Sequence, residues 1–197
     1  MPTPERTTLA DIVGAARDIL EEGGPASLTM QAVAVRVGVR APSLYKRVRN
    51  RDELVRLVTE AAVRDLGGRL DAVAVGGDAR EDLAELCRAF RAFAHARPAG
   101  YRLIFAAGPA GSRPEVGSLA AAAASVLRVA EELAGPDEAL EAARMITAWA
   151  HGFVSMELAD AFNLGGDVGR AFEYGIARLA DSLAGRRTRS FPSVNDG

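Results

Sequence analysis

Nearly every stretch of this chain repeats apolar residues at three- and four-residue spacing, and glycine or proline interrupts that spacing at intervals. The pattern puts an apolar stripe on each of a series of α-helices and leaves no alternating run from which to build a sheet. Leu9, Ile12, Val13, Ala16, Ile19 and Leu20 predict a helix over residues 8–22, stopped by Gly23, Gly24 and Pro25. Thr29 caps a short second helix reaching about Val37, and Gly38 closes it. Pro42, tolerated only in a first helical turn, starts a third at Arg40 or Ala41 that ends near Val48. Asn50, with Glu53 three residues on, marks a fourth helix carried by Leu54, Leu57, Val58, Ala61 and Leu66.

Glycine pairs at 67–68 and 76–77 bracket a flexible stretch, and further helices are expected at about 78–96, 98–107 and 115–134. Gly135-Pro136 opens a long helix to about residue 162, with Leu140, Ala143, Ile146, Trp149, Phe153 and Met156 as its inward stripe. A last helix carries Val168, Phe172, Ile176, Leu179 and Leu183, and residues 186–197 read as a disordered tail. The fold class is therefore all-α. A helix-turn-helix domain is expected over residues 1–50, with a larger helical regulatory and dimerisation domain over 51–185.

Several function classes are disfavoured. The single cysteine, Cys87, excludes an internal disulfide framework, and no CxxC pair or His/Cys cluster offers a structural zinc site. No cofactor or metal is expected. No apolar run approaches the about 20 residues of a membrane span, and the polar start resembles no signal peptide, so a cytoplasmic protein is expected. No nucleophile elbow, phosphate-binding loop or zinc-protease motif points to an enzyme.

Charge is distributed unevenly around a net value of −2. Residues 36–56 hold seven cations (Arg36, Arg40, Lys46, Arg47, Arg49, Arg51, Arg56) against Asp52 and Glu53, a balance of +5, while both flanks are acidic. One basic island in an acidic chain marks either a local anion-binding surface or a solvated helix face. Its position favours the first. Two short helices joined by Gly38-Val39-Arg40 make a helix-turn-helix, with Val39 plugging the angle and Leu44 anchoring the second helix. Arg40, Ala41, Ser43, Tyr45, Lys46 and Arg47 then point mostly outward, on a helix that fits a major groove.

This segment resembles the DNA-binding domain of the TetR family of repressors. The matching residues are Thr29, Ala34, Gly38-Val39, Leu44-Tyr45 and Arg51-Asp52-Glu53-Leu54, in order and without gaps, after a helix ending Glu21-Glu22-Gly23-Gly24. Two departures stand out: Arg40 replaces the usual serine cap, and Arg47-Val48 replaces an aromatic pair. The resemblance implies that Thr29 touches phosphate through its hydroxyl and backbone N–H, joined by Tyr45, Lys46 and Arg51. Arg40 and Ser43 are the candidates for base readout, since arginine makes bidentate contact with guanine.

Residues 148–157 (AWAHGFVSME) resemble the Trp-His-Gly motif of one C-terminal subgroup of the same family. That likeness implies a homodimer through the long and last helices, with Gly152, Ser155, Met156, Phe172, Ile176 and Leu179 at the interface. It also implies a small-molecule effector lined by Phe90, Phe93, Tyr101, Phe105, Met145, Trp149 and Phe153. Aromatic residues at helical spacing are more often core than pocket. His151 is expected to be a hydrogen-bonded structural histidine. The partners implied are a double-stranded DNA operator, a second copy and an effector. The competing reading is a helical protein-interaction module whose helix-turn-helix binds no DNA.

Overall fold

The computed structural model describes residues 7–106 and 110–185, and the expected tail at 186–197 lies outside them. The described residues form ten α-helices and no strand. They are α1 (Leu9–Ser27), α2 (Met30–Arg36), α3 (Ala41–Tyr45), α4 (Arg51–Val73), α5 (Ala79–Ala96), α6 (Pro98–Phe105), α7 (Val116–Ala122), α8 (Ala124–Ala134), α9 (Ala139–Leu158) and α10 (Val168–Ala184). Among the described residues, no helix is long and apolar enough to cross a membrane.

Local chemistry sets the ends. Thr8 and Asp11 cap α1 reciprocally, each side chain accepting from the other's backbone N–H. Gly24, at φ 72°, breaks the helical path of α1, and Pro25 follows it. Asp167 caps α10 by accepting from the Arg170 N–H. Three ends differ from expectation. Helix α3 stops at Tyr45 rather than near Val48, because the N–H groups of Arg47 and Val48 both turn back to the Leu44 carbonyl. Helix α4 runs through Gly67-Gly68 to Val73, since Leu66, Gly67 and Leu70 are buried at helical spacing and outweigh the weak helix propensity of glycine. The break moves to Gly76, at φ 83°. The helix expected at 115–134 is two, interrupted at Ala123.

Two compact units emerge, and they do not divide at residue 50. The first takes residues up to Leu66 together with Phe93–Ala122; the second takes Gly67–Ala92 and the chain from Ala123. In the first, Ile12, Ala16, Ile19 and Leu20 of α1 enclose a core with Val33, Ala34, Leu44, Val48, Leu54 and Val58, each 6 % exposed or less. Helix α6 joins this unit because its first turn needs partners. Glu21 accepts from the N–H groups of Ala99 (3.0 Å) and Gly100 (2.8 Å), placing a carboxylate at the positive end of α6. In the second unit, α8 lies along α9, and α10 packs on both. Arg128 ties this unit together by donating to the Ala74 carbonyl and pairing with the buried Asp82.

Candidate nucleic-acid interface

Helices α2 and α3 are too short to persist alone, so the core must hold them. Met30, Val33 and Ala34 bury one side of α2, and Leu44 with Val48 anchors α3 and the turn after it. Gly38, at φ 71°, makes the corner between the helices, and the Val39 N–H returns to the Ala34 carbonyl at 2.9 Å. Val39 packs half-buried against the core, as its plug position requires.

This anchoring fixes what α3 presents. Arg40, Ser43, Tyr45, Lys46 and Arg47 are exposed, with Tyr45 at 51 %. Ala41 is half-buried against the core, so its part is packing at the base of α3. Arg40 sits at the N-cap of α3 in an extended conformation and makes no capping hydrogen bond, which leaves its guanidinium outward.

Apart from Arg51, which donates to backbone carbonyls, the basic island sorts into two groups. Arg36 grips Glu22 through two hydrogen bonds of 3.1 and 2.6 Å; Arg49 pairs with Glu53; Arg56 pairs with Glu60 at 2.8 Å. The Arg36 guanidinium holds the Glu22 carboxyl below its usual range, and Arg49 does the same to Glu53. Arg40, Lys46 and Arg47, by contrast, form no ion pair among the described residues. The anion-seeking charge is therefore concentrated on α3 and the turn after it.

Two expected phosphate contacts sit differently. Thr29 caps α2 through its hydroxyl oxygen, which accepts from the Ala32 N–H at 3.1 Å. Its own N–H donates to the Ser27 carbonyl at 2.9 Å, so only the hydroxyl hydrogen remains to be offered outward. Arg51 donates from Nε to the Leu28 carbonyl (3.0 Å) and from Nη2 to the Pro25 carbonyl (2.8 Å). That edge of its guanidinium is taken up by the loop before α2.

The residues expected around an effector are divided between the two units, whose boundary cuts α5 between Phe90 and Phe93. Phe93, Tyr101 and Phe105 belong to the first unit, where Tyr101 is buried and its ring meets that of Phe105 at 5.3 Å. Phe90, Met145, Trp149 and Phe153 belong to the second. There Trp149 stacks on Phe172 at 5.2 Å, and Phe153 contacts Trp149, Phe162 and Phe172. Met145 is 39 % exposed.

The expected interface set also divides. Gly152 and Met156 are exposed and Ser155 is half-buried on α9, but Phe172, Ile176 and Leu179 turn into the chain's own core at 0 %, 4 % and 9 % exposure. A side chain closed off by its own subunit cannot reach a second one, and the outward positions of α10 include Tyr174, Ala177 and Arg178 instead. The stripe of α9 is corrected similarly: Ala139, Ala142, Ile146, Ala150 and Val154 are buried, while Leu140 and Met156 are exposed. This helix is apolar around most of its circumference, and spacing alone cannot choose between adjacent apolar faces. His151, half-buried, faces Ser155 Oγ at 3.5 Å.

Sequence reasoning missed Glu21 as the cap of α6 and Glu22 as the clamp on Arg36. The partners of Glu21 lie 78 and 79 residues away, beyond the reach of any local signal.

Residues 5–58 match the family model described as bacterial regulatory proteins, tetR family, and residues 83–179 match tetracyclin repressor-like, C-terminal domain. The chain is 28% identical over 187 residues to an uncharacterized HTH-type transcriptional regulator of Mycobacterium tuberculosis, covering 94% of this chain and 85% of that one. It superposes on BioQ bound to its natural double-stranded DNA operator with a TM-score of 0.66 and 26% identity, covering 91% of this chain and 99% of that one. A TetR of Acinetobacter baumannii in complex with minocycline is similar at a TM-score of 0.67 and 26% identity, covering 94% and 100%.

Proposed function

The chain belongs to the tetR family of bacterial regulatory proteins, and on that premise we propose that it is a dimeric operator-binding repressor released by a small molecule. The observation that carries the DNA-binding reading is the surface of α3. Three cations without carboxylate partners among the described residues flank Ser43 and Tyr45 on a helix fixed by Leu44 and Val48. A protein-interaction module would have no need of that unneutralised charge beside a core-anchored corner.

Lys46, Tyr45 and the Thr29 hydroxyl supply backbone contacts that set register, while Arg40 and Ser43 reach base edges, Arg40 favouring guanine. Arg47 adds charge beside them. The BioQ relative, solved with its operator, supports duplex DNA as the partner. Two copies are needed to read two half-sites a helical turn apart. The face suited to pairing is the outward side of α9 and α10, where Ala148 and Gly152 permit close approach beside Leu140, Met156 and Tyr174.

Effector binding is supported by the minocycline complex of the Acinetobacter relative. Regulation, rather than catalysis, is the activity we assign.

The test is a binding titration of the purified protein against DNA flanking its own gene. With Lys46 and Arg47 as the phosphate-neutralising cations of each of two half-sites, log K should fall with log salt at a slope of about −3 to −4. A slope near zero, or no specific complex at low salt, would overturn the reading. A thermal-shift screen of small molecules then addresses the effector, since a ligand at 100 times its Kd adds about 2.7 kcal/mol of stability.

A further inference from the structure

We propose that Arg51 is a positioning residue: its guanidinium clamps the loop between α1 and α2 and so sets the N-terminus of α2 against the operator. The inference rests on the DNA-binding reading above and departs from the phosphate contact that the family resemblance implies for this position.

The geometry begins at Gly24. Once its positive φ breaks the path of α1, the carbonyls beyond it lose the helical donors that would satisfy them. The Ser27 hydroxyl turns back to the Gly23 carbonyl, and the Thr29 N–H takes the Ser27 carbonyl. The carbonyls of Pro25 and Leu28 then receive the two parallel donors of Arg51, Nη2 at 2.8 Å and Nε at 3.0 Å. A planar fork can span two carbonyls three residues apart; an ammonium group offers one point of attachment.

The location of Arg51 sharpens the argument. It is the first residue of α4, where the helix dipole disfavours a cation, and the two carbonyl dipoles offset that cost. Leu28 is buried at 1 % exposure, so fixing its carbonyl fixes the peptide leading into Thr29. Thr29 in turn caps α2 through Ala32, and its carbonyl accepts the Val33 N–H. Arg51 thus acts on DNA through the orientation of α2.

The experiment compares wild type, Arg51→Ala and Arg51→Lys by operator titration over a range of salt and by hydrogen exchange at the amides of Thr29, Ala32 and Val33. A clamp predicts that Arg51→Ala weakens binding about tenfold at every salt concentration with an unchanged slope, while those amides exchange about tenfold faster. It also predicts that Arg51→Lys, which keeps the charge, fails to restore protection at these amides. A phosphate contact predicts a slope reduced by about two in Arg51→Ala (one contact per subunit), unaltered exchange, and recovery by Arg51→Lys; that result would overturn the proposal. Should Arg51→Ala fail to fold, the lysine variant decides alone. If wild type binds no operator, the DNA-binding reading falls, and the exchange arm still tests the clamp.

Discussion

The indole of Trp149 packs against α10 at Gly175 so closely that a Cβ there would lie 2.9 Å from Cε2 and overlap Cζ2. The same indole stacks on Phe172, one turn earlier on α10, at 5.2 Å and an interplanar angle of 20°. The tryptophan of the Trp-His-Gly stretch is therefore an α9–α10 packing residue, and Gly175 is the place that receives it.

Gly175→Ala should destabilise the protein by about 1–3 kcal/mol, since the extra methyl must displace a ring held on both sides. Urea unfolding followed by circular dichroism measures it. Adding Trp149→Phe, which shrinks the ring, should recover part of the loss. An unchanged midpoint in Gly175→Ala would mean that the indole moves aside freely.

Lys46→Ala and Arg40→Ala should separate positioning from reading. Loss of Lys46 weakens binding to all sequences alike and, with one Lys46 lost from each of two subunits, lowers the salt slope by about two. Loss of Arg40 also relaxes the choice of base at one position per half-site, by about 1–3 kcal/mol of discrimination. Competition titrations with single-base operator variants check both, and identical base preferences in wild type and Arg40→Ala would rule out readout by Arg40.

Cys87 should be inert. Burial, assisted by the nearby Glu173 carboxylate, pushes its thiol up to about 12, so the reactive thiolate is essentially absent near neutrality. Iodoacetamide at pH 8 should leave the native protein unlabelled and modify it in urea. Rapid labelling of the folded protein would show that this part of α5 opens.

His151 should couple stability to pH. Burial disfavours its charged form, so its folded pKa lies below the ordinary 6.5. The unfolded chain then takes up the proton first. The histidine's contribution is present above about pH 6.5 and is lost as pH falls below it. The stability of His151→Gln should therefore depend less on pH between 7 and 5 than that of wild type. An imidazole titration midpoint at or above 6.5 in the folded protein would contradict this.

Local rules reached far along this chain because its helix boundaries are written in single residues. Thr29, Gly38, Pro42 and Asn50 each act over three or four positions, and each stands where its chemistry placed it: Thr29 caps α2, and Asn50 accepts the Glu53 N–H at 2.9 Å. The outward side of α3 was legible for a related reason. Leu44 could only be an anchor, which left the polar residues around it for solvent.

Where residues from distant segments compete for the same space or the same donor, the sequence was silent. Gly67-Gly68 looked like an end of α4, yet buried neighbours carried the helix through. Phe172, Ile176 and Leu179 looked available to a second subunit, yet α10 turns them inward.

The sequence by itself determined an all-α chain with a helix-turn-helix near its start, because capping and periodicity act within one or two turns. Only the tertiary structure decided which cations of the basic island are held by carboxylates, which carbonyls Arg51 grips, and which face of α9 is buried. Those outcomes depend on side chains brought together across tens of residues, where spacing along the chain carries no information about distance in space.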